Sequence, residues 1–211
     1  MRLAISVEGQ TEEAFFKNTI VPYLFQYGIY VDIIIVTTSK DKCGRKNRGG
    51  CINIDRIKNE VQKLLNSYDY VTTFYDFYGF TKRPTDNIDE LELTLYNLFS
   101  NNKFVPYVQK YEFETLLFSK PEYFTDYFGS DRVEIEMKKI IREYQDIELI
   151  NDSIQTAPTK RIAKLFELEN ELYDKVFHGE GIASDIGINQ IKKESNRFNR
   201  WLEKIVSLKN D

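Results

Sequence analysis

The chain opens on five apolar-to-small residues, Leu3-Ala4-Ile5-Ser6-Val7, that stop abruptly at Glu8-Gly9. This pattern predicts a first strand, a tight turn and a helix start. Phe15, Phe16, Ile20 and Leu24 then recur every three to four positions, the spacing of one helix face. Thr11 is expected to cap that helix, and Pro22 and Gly28 to end it. Tyr30–Thr37 predicts a second strand. Its centre, Ile33-Ile34-Ile35-Val36, is continuously apolar, as in a strand covered on both faces. Residues 39–50 are a polar, glycine-containing loop. Asp55–Leu65 carries Ile57, Val61, Leu64 and Leu65 on one side and predicts a helix. A third strand, Tyr68–Tyr78, runs through Asp76. A turn over Pro84–Asp89, a helix over Leu91–Phe99 and a fourth strand over Phe104–Val108 follow.

This strand–helix alternation predicts an α/β fold with an open, mainly parallel sheet of about four strands flanked by helices. Beyond Pro121 the strand rhythm disappears. Helices are expected over Val133–Tyr144, Pro158–Glu169 and Asn189–Leu208, with Trp201 on an apolar face and Ser184 and Asp185 as capping residues before Ile186. The expected organisation is an α/β core over residues 1–125 and an α-helical part over 126–211, packed on the core as one compact unit.

Composition narrows the chemistry. With 211 residues, 42% of them hydrophobic, the chain can build a core. No apolar run approaches the ~18 to 20 residues of a membrane helix. The chain starts directly in a strand with no signal-like segment, so the cytoplasm is the expected location. A net charge of −4 excludes bulk polycation behaviour, and nucleic-acid binding would need a local patch. The single histidine, His178, rules out chemistry built on several imidazoles. Cys43 and Cys51 match no common zinc or redox spacing and are read as two reduced loop thiols. The ionisable groups left for catalysis are mostly carboxylates, and these suit Mg²⁺ or Mn²⁺.

Three acidic points fall at predicted strand ends: Glu8, with Glu12 one helical turn on; Asp76; and Glu112 with Glu114. In a parallel sheet such ends share one edge, where open α/β folds bind ligands. Like charges gathered there call for a cation. Taken singly, Asp76 reads as a turn residue, Glu114 equally as a solvent-facing strand position, and Glu13 as a solvated first-turn residue. Their coincidence is what points to metal. Counter-charge is expected from Lys160 and Arg161 at a predicted helix start, either beside a phosphate or as plain surface cations. Lys40, Lys42, Arg45, Lys46 and Arg48 crowd one loop, as phosphate-backbone contacts or a solvated charged segment. His178 sits in a predicted loop, where a proton-shuttle role is the less ordinary reading. The many Tyr and Phe residues around 107–128 could stack bases, although packing is the simpler use.

VEGQTEE resembles the first motif of the Toprim fold in the form found in overcoming-lysogenization-defect nucleases, where both glutamates act on metal; here these are Glu8 and Glu12. FYDFYGF resembles the second Toprim motif, although Asp76-Phe77-Tyr78 lacks its second aspartate. Blocks VEGQTEE, YDFYGF, YEFETLLFS, APTKRI and FNRWLEKI together resemble a family of small bacterial Toprim-like proteins of unknown function. The resemblance implies a Toprim-like core with Mg²⁺ or Mn²⁺ held by Glu8 and Asp76, and by Glu12 with Glu112 or Glu114. Glu8, Asp76, Lys160 and Arg161 would carry hydrolysis of phosphodiester bonds in DNA or RNA, in anti-phage or mobile-element defence. The alternative it implies is a non-catalytic or conditionally active partner of a separately encoded ATPase. Either is compatible with a homo-oligomer.

Overall fold

The computed structural model describes residues 1–40, 46–48, 52–99, 102–151 and 153–209. They form two compact units, Met1–Gln109 with Glu203–Asp211, and Lys110–Leu202. The expected division at residue 125 falls inside the second.

Unit 1 is the α/β part. Its strands and helices run β1 Arg2–Val7, α1 Gln10–Phe15, a π turn Phe16–Ile20, α2 Val21–Phe25, β2 Tyr30–Ile35, β3 Thr37–Lys40, β4 Lys46–Arg48, α3 Ile54–Leu64, β5 Tyr70–Asp76, α4 Ile88–Tyr96, β6 Phe104–Val105 and β7 Val108–Gln109. The main sheet has the order β2-β1-β5-β6, with β7 pairing β5 beyond β6. Every pairing in it is parallel, which confirms the expected fold class. β3 and β4 make a separate antiparallel pair.

The strand sequences explain the sheet. Leu3, Ala4, Ile5 and Val7 of β1 are fully buried, as are Val71, Phe74 and Tyr75 of β5. Continuous burial of both faces is what a central parallel, helix-covered strand requires; β2, expected to be covered on both faces, is an edge strand and only partly buried. The expected fourth strand is split, because Pro106 lies between β6 and β7 and lacks the N–H that a ladder needs. Thr73 Oγ1 bridges the gap, donating to the Tyr107 carbonyl and accepting from its N–H, each at 3.0 Å. The first helical stretch also departs from expectation: Pro22 does not end it. A π turn precedes the proline, the kind of widening that relieves the clash a proline makes with the preceding turn. The stretch ends instead at Gly28, whose φ of +69° a side chain would resist. Asn53 caps α3 by accepting from Arg56 N at 3.0 Å.

Unit 2 is helical: a 3₁₀ segment Phe113–Ser119, then α5 Glu122–Phe128, α6 Arg132–Tyr144, α7 Pro158–Glu167, α8 Lys175–Ile186, α9 Ile188–Glu194 and α10 Asn196–Ser207. The last turn of α10 is counted with unit 1. The single helix expected over Ile186–Leu208 is three pieces. Ser184 and Asp185 are not caps but lie within α8, which stops at Gly187 with φ +82°. A second break falls at Ser195, whose backbone is extended. Buried Ser195 donates to Glu148 Oε1 at 2.8 Å, and Arg197 N donates to both Glu148 oxygens at 3.1 and 3.2 Å. A carboxylate from another segment thus occupies the start of α10, where free N–H groups and the helix dipole favour an anion. Among the described residues, no helix is long and apolar enough to cross a membrane.

Candidate functional site

β1 and β5 are parallel neighbours, in register up to Val7 opposite Phe74. Glu8 and Asp76 therefore leave the sheet at the same carboxyl edge. Gly9, in an extended conformation, is the N-cap of α1, so Thr11 is a buried helix residue rather than the expected cap. Glu12, in the first turn of α1, is 3% exposed, and Asp76 is 6% exposed. Glu13 pairs with Lys17 at 2.8 Å at the surface, as its sequence position suggested.

Two glycines make room for these acids. A Cβ on Gly9 would stand 3.0 Å from Glu12 Oε2, and one on Gly79 would stand 2.1 Å from Glu8 Oε2. Gly79 lies three residues after Asp76, so the Glu8 carboxylate rests on the segment that leaves β5. That segment is pinned from its other side: Ile52 N donates to the Gly79 carbonyl at 3.0 Å, and Thr81 N donates to the Ile52 carbonyl at 2.8 Å. Beneath the edge, the fully buried Tyr75 hydroxyl donates to Ser6 Oγ at 2.7 Å. Burial pushes that phenol far above its ordinary value; the Ser6 hydrogen bond opposes the shift, and Glu60 and Glu8 add to it.

Two residues of this edge escaped the sequence reading. Gln109 of β7 is fully buried, paired with Asp76 by strand register, and accepts from Tyr107 O–H at 2.9 Å. Its signal was its place at the end of the fourth strand's apolar run. Arg83 stacks its guanidinium over Phe77, 4.2 Å from the ring centroid, and so brings a cation to the residue after Asp76.

Glu112 and Glu114 belong to unit 2 and are engaged there. Glu112 Oε2 accepts from Thr159 N at 2.9 Å and from Thr159 Oγ1 at 2.7 Å, taking the N-terminus of α7. Glu114 is fully buried in the 3₁₀ segment, which corrects the solvent-facing strand expectation. Tyr173 O–H donates to its Oε1 at 3.2 Å, and Lys175 Nζ lies 3.4 Å from its Oε2. Burial raises the Glu114 pKa; Lys175 opposes the shift and Glu112 adds to it.

Arg161 is held by its own unit: Nε donates to the Thr156 carbonyl at 2.9 Å, Nη2 to Tyr144 O–H at 2.7 Å. Lys160 is exposed and lines a cavity of about 230 Å³ with Glu136 and Lys164. His178 is not in a loop but in α8; its Nδ1 accepts from Asp174 N at 2.8 Å, and its ring packs 5.0 Å from Phe166. Lys42, Arg45, Cys43 and Cys51 lie outside the described residues. Lys40, Lys46 and Arg48 belong to the antiparallel β3–β4 pair, which corrects the expectation that they sit in a loop.

The carboxylates of Glu8, Glu12 and Asp76 are the oxygen donors that Mg²⁺ or Mn²⁺ prefers. Among the described residues, no three or more His, Cys, Asp or Glu are grouped closely enough to form a finished metal site. The fit is therefore one of donor chemistry alone; the room the two glycines leave is taken by the Glu8 and Glu12 carboxylates themselves.

No curated protein and no solved structure matches the chain. A family model does match, starting one residue before Glu8 and running past Lys160 and Arg161 into α10. Since it covers residues 7–206, the chain belongs to the family described as Domain of unknown function (DUF4276).

Proposed function

We propose that the acid edge of unit 1 is a Mg²⁺- or Mn²⁺-dependent phosphodiester-hydrolysing centre acting on DNA or RNA in the cytoplasm. The observation that supports this reading best is the pair of glycines, Gly9 and Gly79, each lying against a carboxylate at the carboxyl edge of parallel strands. A side chain at either position would crowd an acid, which is an odd arrangement for acids that serve only as solvated turn residues. Glu8 and Asp76 would hold the ion, with water completing its shell. When bound, such an ion neutralises phosphate charge and makes water acidic enough to attack near neutral pH. The carboxylates also offer oxygens to take the proton of the attacking water. A new P–O bond to that water forms, the ester P–O bond breaks, and a phosphate monoester and a free hydroxyl result. Arg83, fixed over Phe77, would meet the phosphate at this edge.

The test is plasmid nicking and RNA degradation by the purified protein with Mn²⁺, run beside a metal titration read by thermal shift. Losing a group that only supports a metal ligand costs about 10–100-fold, so Glu8→Gln is expected to cost at least the upper end and to abolish the Mn²⁺-dependent shift. Gly79→Ala should do the same with little change in metal-free stability, because the flexible Glu8 carboxylate yields before the pinned backbone does. Undiminished cleavage and an undiminished Mn²⁺ shift in Glu8→Gln would overturn the assignment.

A further inference from the structure

We infer that the groove along α8 in unit 2 is a docking site for a basic, apolar segment of a partner protein. Its lining joins Tyr123 and Tyr127 of α5 to α8 from Val176 to Asp185 around a cavity of about 650 Å³. Its carboxylates outnumber any cation: Asp174, Glu180 and Asp185 line it beside His178, whose Nδ1 accepts from Asp174 N, and among its described lining residues there is no lysine or arginine. These carboxylates have local contacts: Asp174 accepts from Phe177 N, Glu180 from Ser184 Oγ and Asp185 from Tyr123 O–H. A carboxylate offers about four acceptor positions, so Asp174 and Asp185 retain capacity toward an incoming guanidinium or ammonium. The tyrosine faces beside them suit such cations as well.

The apolar part argues for a protein segment over a small cation. Val176 and Phe177 of the lining are 51% and 75% exposed, and Leu172, outside the lining but four residues before Val176, is 85% exposed. A small amine would cover little of that surface.

Gly181 supplies an independent sign. It lies inside α8, where glycine weakens a helix, and lines the groove. A Cβ there would meet nothing within 4 Å. No packing neighbour demands the missing side chain, whereas an occupant lying against the helix would. This docking role is independent of what the acid edge of unit 1 does.

Binding of a fluorescein-labelled peptide of alternating arginine and leucine to the full chain, followed by anisotropy, tests it. A glutamate–leucine peptide and spermidine serve as comparisons. The arginine peptide should bind, the glutamate peptide should not, and spermidine should compete only weakly. Glu180→Gln with Asp185→Asn should weaken binding about 10-fold, as expected for two lost partly exposed ion pairs. Gly181→Leu should block it while the far-UV melting curve holds or rises, since leucine favours the helix. Any of four results would overturn the proposal: no binding at millimolar peptide, equal binding of the glutamate peptide, indifference to Gly181→Leu, or spermidine matching the peptide. So would self-association through this face, seen as a sedimentation change that Gly181→Leu removes.

Discussion

Replacing Glu148 is expected to unfold the C-terminal helix first, and the protein carries its own reporter for the event. Glu148 is 3% exposed and accepts from Ser195 Oγ and Arg197 N at the start of α10. Hydrogen bonds to an ionised acceptor contribute about 1.5–3 kcal/mol each. An anion at a helix N-terminus adds about 0.3–1 kcal/mol, up to about 2 when partly buried. These terms overlap, so Glu148→Ala is expected to cost about 3–5 kcal/mol, part of it from two donors left without an acceptor. Glu148→Gln keeps one oxygen in place and loses the charge, and about 1–2 kcal/mol is expected. The only tryptophan, Trp201, is in α10 and 4% exposed, so its fluorescence follows this helix. In urea, with a slope of about 2 kcal/mol per molar, the alanine variant should lower the Trp201 midpoint by about 1.5–2.5 M and the glutamine variant by less than half of that. An alanine shift no larger than the glutamine shift would refute the idea that charge and acceptor act together at this helix start.

Glu114 carries a pH signature. Its folded pKa is raised, so the native state holds the proton more tightly than the unfolded chain. The resulting stability is fully present below the ordinary glutamate value and is lost as pH rises through the raised folded value. Glu114→Gln should flatten that fall in urea midpoints measured across mildly acidic to neutral pH; an identical slope in both proteins would count against it. Ser6→Ala leaves the fully buried Tyr75 hydroxyl without the acceptor it uses and should cost about 1–3 kcal/mol by thermal denaturation. Ser6→Ala with Tyr75→Phe should recover much of that loss, and failure of the double variant to recover would exclude the hydrogen bond as the cause.

The main strands and helices of unit 1 are legible because β1 and the Ile33–Ile35 part of β2 are apolar runs, β5 breaks its run only at Thr72 and Thr73, and α3 shows one apolar face; the polar β3 and β4, TTSK and KNR, are not legible. Glu8 and Asp76 were legible as strand-end acids for the same reason. What could not be read was tertiary. The stretch Phe113–Ser119 is buried on every side, so it shows neither the period of a strand nor that of a helix. Glu112 and Glu148 look like ordinary acids in sequence, yet they meet helix starts 47 and 49 residues away. The role of Gly79 depends on Glu8, 71 positions earlier (79 − 8), and only the sheet register relates the two. The glycines that follow His178, Gly179 and Gly181, argue against a helix in the sequence; the Asp174 cap sustains α8 in spite of them.

The discontinuity of unit 1 has a consequence for biosynthesis. Its residues come from Met1–Gln109 and again from Glu203–Asp211, with all of unit 2 between them. During translation, the strands that carry Glu8 and Asp76 emerge early, but the unit lacks its closing segment until every residue of the other has been made. Domains tend to fold in order as they leave the ribosome. Here the unit begun first is completed only after the other, so while Lys110–Leu202 is being made the nascent chain holds its acid edge on an unfinished scaffold.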